Sequence, residues 1–176
     1  MIKWNYRSDY FPLDGSLYGV YKGERYLLKK SPRYGWILIA TEGQKILPEF
    51  KFLSEAYPYT LLIDPYELSS VYSLCFRGIC KGVEVIIIGQ NEELSQLRLV
   101  GDDLSKEERN ILEISIPADY DQYMGGFYFY MDEKEVSDVW EERKARRFEY
   151  PFVGEEFPFT GLEKVYLKKD GVWINE

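Results

Sequence analysis

Closely spaced acidic side chains are the groups in this 176-residue chain that could do chemistry, because the chain contains no histidine. Asp102 and Asp103 are adjacent, and Asp119 stands two residues before Asp121. Paired carboxylates can hold magnesium or divide acid and base roles between them. Without histidine, neither Ser-His-Asp nor Cys-His catalysis is available, and no imidazole can bind a metal.

The sequence around these carboxylates is more typical of turns than of a reactive site. Asp102 and Asp103 lie in Gly-Asp-Asp-Leu-Ser, where acidic residues commonly cap or turn the chain. The Asp119 pair lacks the remaining positions of a calcium-binding loop, and the sequence contains neither a Walker loop nor a Gly-x-Gly-x-x-Gly motif. We therefore predict no catalytic residue, no metal site and no cofactor, and we expect that the protein is not an enzyme.

Two cysteines, Cys75 and Cys80, are too few for a structural zinc site and are not spaced as a Cys-x-x-Cys redox pair. A hairpin between them could bring them within disulfide distance. A cytosolic compartment favours thiols over disulfides, so we predict that both are reduced and packed as small apolar residues.

The beginning of the chain and its apolar runs predict a cytoplasmic protein without a membrane partner. The first residues, Met1–Tyr10, contain no apolar segment of the kind found in a signal peptide. The strongest apolar runs, at 36–40 and 85–88, are far shorter than the roughly 20 residues of a membrane-spanning helix.

Hydrophobic patterning predicts a single domain over residues 1–176, built on a mainly antiparallel sheet. Residues 16–41 contain three β-type segments, separated by Lys22-Gly23 and by turn residues at 31–35. Near the C-terminus, Asp170-Gly171 is typical of a hairpin turn. Further strands are predicted at 71–76, 83–88, 111–116 and 126–131, and the C-terminal hairpin is predicted at 164–174.

Four segments also carry helix signals, the first of them at 49–57, between Pro48 and Pro58. Capping boxes begin at Asp64 and at Ser105, each with a glutamate three residues later. The strongest helix prediction covers Asp132–Phe148, where apolar residues recur at helical spacing and acidic residues precede basic ones. Because these short helices accompany the sheet, the sequence predicts an α+β fold.

The net charge of −8 is unevenly distributed. Residues 91–176 contain 21 of the 30 acidic side chains but only 11 of the 22 basic ones. The basic cluster at 143–147 directly follows acidic residues that neutralise it, so we predict no nucleic-acid partner. An acidic surface can keep a protein soluble, or it can match a basic partner and accelerate their encounter.

The chain is also rich in tyrosine, with 16 in total, of which six lie in residues 91–176. Tyrosine offers a large contact area with a polar tip at low entropic cost, which suits recognition surfaces. Tyr120, Tyr123, Tyr128 and Tyr130 could form an aromatic and acidic patch with Asp119 and Asp121. We predict a partner-binding surface that includes Asp119, Tyr120, Asp121, Tyr123, Asp132, Glu133, Glu135, Asp138, Glu141 and Glu142.

Three features form a recognisable profile: Tyr26-Leu27-Leu28-Lys29 followed by Gly35–Ile39, the acidic second half, and the absence of catalytic motifs. This profile resembles the small immunity proteins of bacterial toxin–immunity systems. The resemblance implies a non-enzymatic, cytoplasmic inhibitor that neutralises one cognate toxin by direct binding. The expected partner is a basic toxin domain, with a nuclease as one option, because an acidic inhibitor can occupy a cleft that accepts phosphate.

Two other functions fit the same sequence. The carboxylates could serve a magnesium- or manganese-dependent metalloenzyme, which the metal ion would stabilise. Alternatively, the chain could be a phage or mobile-element accessory protein that binds a host factor.

Overall fold

One antiparallel sheet runs through the part of the chain that the structure, a computed structural model, describes. The described residues are 16–40, 44–55, 58–91, 93–101, 103–115, 127–146 and 159–174. Within them the sheet has eleven strands: β1 (Ser16–Tyr21), β2 (Glu24–Ser31), β3 (Gly35–Ile39), β4 (Thr60–Leu62), β5 (Ser70–Cys80), β6 (Val83–Asn91), β7 (Gln96–Val100), β8 (Tyr128–Asp132), β9 (Val136–Arg146), β10 (Phe159–Lys169) and β11 (Val172–Trp173). The helical segments there are α1 (Lys106–Ile111) and 3-10 turns at Pro65–Glu67 and Glu133–Glu135.

Three hairpins close through two-residue turns that the sequence marks clearly. Lys22-Gly23 joins β1 to β2, Lys81-Gly82 joins β5 to β6, and Asp170-Gly171 joins β10 to β11. Both residues of each turn have positive φ, the type I′ geometry that matches the twist of the flanking strands, and glycine adopts it without strain. The hairpins predicted within 16–41 and 164–174 are confirmed.

Both predicted capping boxes are present. The Ser105 Oγ accepts a hydrogen bond from the Glu108 N–H at 3.2 Å, and the Ser105 N–H donates to the Glu108 carboxylate at 2.7 Å. The same reciprocal pair opens the 3-10 turn at Asp64. The strand predicted from residue 111 is wrong, because Ile111 belongs to α1 and the Leu112 N–H continues its turn by donating to the Glu108 carbonyl oxygen at 2.9 Å.

The α+β prediction is wrong: the described residues form a largely all-β fold with one short α-helix, and residues 49–55 do not form the helix predicted at 49–57. The segment predicted as a helix, Asp132–Phe148, accounts for much of the difference, since its residues 136–146 form strand β9. Strand β9 pairs with β5 on one side and with β10 on the other. Pairing on both sides buries apolar side chains on both faces of β9, and this burial outweighs the weak local helix preference of a charged sequence.

Burial along β9 follows the sheet rather than a helical stripe. Val139 and Trp140 are both buried, yet consecutive residues of a strand point to opposite faces. The apolar spacing that suggested a helix therefore belongs to a strand that is buried on both faces.

Strand β5 is the junction of the sheet. Its first half pairs with β1 and its second half with β6, while β9 runs along its other side. The sheet divides there into a first wing, β1–β4, and a second wing, β6–β8. The side that carries Phe76 and Val139 is called the inner face, and the side that carries Arg77 and Trp140 is called the outer face.

Each wing builds its own hydrophobic core, and the two cores lie on opposite faces of the sheet. The first core covers the outer face of β1–β3 around Tyr26 and is closed by Phe50 and Leu68 from the connection between β3 and β5. The second core covers the inner face of β5–β9 and is closed by Leu104 and Leu112, which flank α1. The outer face of the second wing is thereby left as a separate surface.

The two cysteines lie on the same strand, β5, rather than on the two arms of a hairpin. Five residues along a strand separate their Cα atoms by about 16 Å, whereas a disulfide needs them within about 7 Å. Cys75 lies on the outer face, where its thiol donates to the Glu142 carboxylate at 3.8 Å, and Cys80 lies in the inner core; both are buried and neither forms a disulfide. The prediction that the two cysteines are packed in the interior without a disulfide between them is confirmed.

We expect neither thiol to react with DTNB at about pH 8 while the protein is folded. Burial raises the pKa of Cys80 to about 11, which keeps it in the unreactive neutral form. Both thiols should react once guanidinium unfolds the chain, and titration with and without guanidinium measures this. Prompt reaction of either thiol in the absence of denaturant would contradict the burial described for it.

Candidate protein-binding surface

The outer face of the second wing exposes aromatic side chains. In β8, Tyr128 and Tyr130 alternate with Phe129 and Met131, which pack against the second core. The exposed fractions of Tyr128 and Tyr130 are 45% and 52%. A strand with this alternation buries one face and presents the other to solvent. The two tyrosines therefore stand side by side on an open sheet face.

Strand β7 adds a cation to this face. Arg98 pairs with Tyr130 across the two strands, and its guanidinium lies over the Tyr128 ring, 4.5 Å from the ring centre. Stacking of this kind holds both groups in place while the guanidinium N–H groups at the edge can still donate. Val100, opposite Tyr128, adds an apolar side chain to the same face. Together, Arg98, Val100, Tyr128 and Tyr130 are called the tyrosine surface.

Arg98 and Val100 are the members of this surface that sequence reasoning missed. The available signal was the alternation in Gln96–Val100, where two leucines are fully buried and the residues between them face outward. Alternation identifies the outward side of a strand, but it does not show which strand lies beside it. The contact between Arg98 and Tyr128 joins residues that are distant in sequence.

Acidic residues border the tyrosine surface where β8 ends. Asp132 is the last residue of β8, and Glu133–Glu135 form a 3-10 turn. The Asp132 carboxylate accepts a hydrogen bond from the Lys134 N–H at 2.9 Å, and the Glu133 N–H donates to the Ser95 carbonyl oxygen at 3.0 Å. Asp132–Glu135 are called the acidic turn. Its backbone is fixed both by its own cap and by the start of β7.

Lys168 in β10 holds the acidic turn in place from the C-terminal hairpin. Its Nζ donates to the Glu133 carbonyl oxygen at 2.6 Å, although the residue is buried. Burial lowers the pKa of Lys168, while the nearby charges of Glu133, Asp132 and Asp138 act in the opposite direction. This anchoring leaves the carboxylates of Asp132 and Glu135 exposed to solvent.

Asp138 is half-buried and serves the C-terminal hairpin. Its carboxylate accepts hydrogen bonds from the Asp170 N–H at 3.2 Å and from the Ser137 Oγ at 2.7 Å. It therefore orients the turn between β10 and β11. Its contribution to the acidic surface is secondary to this local role.

Glu141 and Glu142, two of the predicted site residues, lie inside the protein and on opposite faces of β9. On the inner face, Glu141 accepts hydrogen bonds from the Arg25 Nη1 at 2.9 and 3.0 Å and from the Arg143 Nε at 2.8 Å. On the outer face, Glu142 lies 3.1 Å from the Arg77 Nε. Both carboxylates are engaged in internal ion pairs.

Of the ten predicted site residues, the structure brings Asp132, Glu133 and Glu135 together in the acidic turn. Asp119, Tyr120, Asp121 and Tyr123 lie outside the described residues. The tyrosine surface and the acidic turn therefore form the candidate site.

Two further features of the described ranges concern metals and membranes. In those ranges no group of three or more cysteine, aspartate and glutamate side chains is placed to hold a metal ion. None of the helices found there is both long and apolar enough to cross a membrane.

No protein-family model, curated protein or solved structure matches this chain. The surface chemistry of the chain itself is thus what bears on its function.

Proposed function

We propose that this chain is a non-enzymatic, cytoplasmic binding protein that inhibits a basic partner protein, as immunity proteins neutralise their cognate toxins. The observation that carries the proposal is the exposed tyrosine surface directly beside the acidic turn. The tyrosine surface would supply contact energy, and the acidic turn would select a partner of opposite charge.

The composition of the tyrosine surface is that of a binding hot spot. Tyrosine and arginine are enriched among residues whose truncation costs about 2 kcal/mol or more of binding energy. Tyr128 and Tyr130 are held by strand pairing, and Arg98 packs over one ring. Little conformational freedom is therefore left to lose when a partner covers them.

The acidic turn fits the rim of such an interface. Exposed rim charges mainly raise the association rate and make binding sensitive to salt. Because Lys168 and Ser95 fix the backbone of the turn, Asp132 presents its charge at a constant position next to Tyr130 in β8, whereas the Glu135 charge lies near Lys81 in the β5–β6 turn. A partner with a basic patch near an apolar or aromatic contact is the complement of this arrangement.

We predict that the Tyr128→Ala/Tyr130→Ala double variant loses most of its affinity for the partner, on the order of 100-fold or more. A tagged protein would be used for capture from lysate of the source organism at low and high salt, with mass spectrometry of the bound fraction. Wild type should retain one stoichiometric basic protein, more of it at low salt, and the activity of that protein should fall when the wild type is added.

A matched control variant is Tyr59→Ala/Tyr66→Ala, which removes two tyrosines that are also about half exposed but lie elsewhere on the chain. It should capture the partner as wild type does. Capture of no partner at either salt would refute the proposed function. Equal capture of the partner by both double variants would show that the tyrosine surface is not the binding site.

A further inference from the structure

Strand β8 lies at an edge of the sheet. Within the described residues it pairs with β7 only, over five consecutive residue pairs without a register shift. Just outside this ladder, the Gly101 N–H donates to the Phe127 carbonyl oxygen at 3.1 Å, and the Glu133 N–H donates to the Ser95 carbonyl oxygen at 3.0 Å. These two bonds fix which residues of β8 direct their backbone groups toward β7.

Hydrogen-bonded pairs alternate along an antiparallel ladder. Because residues 127 and 133 bond toward β7, Phe129 and Met131 do so as well. Tyr128 and Tyr130 consequently direct their backbone N–H and C=O groups away from β7, toward the open edge. The residues whose rings form the tyrosine surface thus also supply the donors and acceptors at that edge.

Within the described part of the chain, this edge lacks the features that usually prevent strand addition. Such features are short length, lysine or proline in the strand, and bulges. The sequence of β8, Tyr-Phe-Tyr-Met-Asp, contains neither lysine nor proline and has high β-propensity. The other edges of the described sheet are different: β4 has 3 residues and β11 has 2, while β10 carries lysines and two register shifts.

We propose that the inhibited partner docks by adding an extended strand of its own to the open edge of β8. This inference rests on the proposed function, because it names the binding mode of the same partner at the same surface. Main-chain hydrogen bonds to Tyr128 and Tyr130 would supply affinity, and alternate side chains would supply specificity. The added strand would place apolar side chains beside Phe129 and Met131 and basic side chains near Asp132.

The test separates the backbone of residue 130 from its side chain. Tyr130→Pro removes both the ring and the outward N–H, whereas Tyr130→Ala removes only the ring. Proline is tolerated in an edge strand when its nitrogen faces outward, so the pairing with β7 is retained. The probe is a short fluorescent peptide in which valine and lysine alternate. Fluorescence anisotropy measures its binding to wild type and to both variants.

We expect Tyr130→Pro to bind this peptide at least about tenfold more weakly than Tyr130→Ala, the effect of losing one hydrogen bond of about 1.4 kcal/mol. A version of the peptide with N-methylated valines should bind wild type at least as weakly as the unmodified peptide binds Tyr130→Pro. This measurement needs no protein variant. Circular dichroism checks folding, and the pair Tyr128→Pro and Tyr128→Ala replaces the first pair if Tyr130→Pro does not fold.

Three results would overturn strand addition. The first is equal binding of the peptide to the proline and alanine variants, and the second is no binding of the peptide to wild type. The third is a wild-type dimer that Tyr130→Pro converts to a monomer, because a second copy of the chain would then occupy the edge. Each of these leaves the inhibitory function standing if the tagged wild type still captures its basic partner. Failure of that capture is the separate result that refutes the function.

Discussion

Glu141→Gln should lower the free energy of unfolding by about 2–3 kcal/mol. The Glu141 carboxylate is almost inaccessible and accepts hydrogen bonds from two guanidinium groups, those of Arg25 and Arg143. Glutamine preserves the size of the side chain but removes the charge that balances both arginines. Each arginine is itself about a quarter exposed, so water recovers part of the loss.

The matched control for this variant is Glu163→Gln. Glu163 also faces Arg143, but at 3.9 Å and with 67% of its side chain exposed. Exposed pairs of this kind contribute about 0–1 kcal/mol, so the free energy of unfolding of this variant should be close to that of wild type. Urea denaturation measures both. A Glu141→Gln protein as stable as Glu163→Gln would show that the buried pairs give no net stabilisation over their desolvation.

Gly78→Ala is expected to cost about 3 kcal/mol of stability. Gly78 lies in β5 between β6 and β9, and a Cβ atom there would lie 2.7 Å from the Asp138 carbonyl oxygen. It would also lie 3.0 Å from the Val136 Cγ1 and 3.2 Å from the Ile87 Cδ1. The nearest of these atoms belongs to the backbone of β9, which pairs with β5. The steric clash can therefore be relieved only if β5 and β9 move apart.

Gly161→Ala provides the comparison, because Gly161 lies in β10, no atom of the described residues comes within 4 Å of its added Cβ, and it does not adopt positive φ. Replacing a strand glycine with alanine in open space should leave stability unchanged or raise it by about 0.5–1 kcal/mol. Thermal melts of the two variants give the contrast directly. Similar melting temperatures would mean that β5 and β9 can shift apart at little cost.

Local sequence predicted those parts of the fold that depend on local chemistry. The turns at Lys22-Gly23 and Asp170-Gly171 need residues that tolerate positive φ, and the Ser105 box needs a hydroxyl and a carboxylate three residues apart. Strand β9 was mistaken for a helix because its identity is set by partners far away in sequence. Glu141, for example, is balanced by Arg25, which is 116 residues away.

The candidate site divides in the same way. Tyr128 and Tyr130 were identifiable from composition and alternation within one strand, and their exposure agrees with a recognition surface. Arg98 was missed because only the pairing of β7 with β8 brings it over the Tyr128 ring. Glu141 and Glu142 were grouped with the exposed acids because a helix with adjacent glutamates would present both to solvent, whereas a central strand buries one on each face.

The position of β5 also determines how the chain loses its structure. Both wings are hydrogen-bonded to β5, and each core contains side chains of β5. If one wing unfolds, the other wing therefore loses some of its native contacts. Sub-global opening requires a boundary that few contacts cross, and β5 removes that boundary. We therefore expect the two cores to unfold together as one cooperative unit.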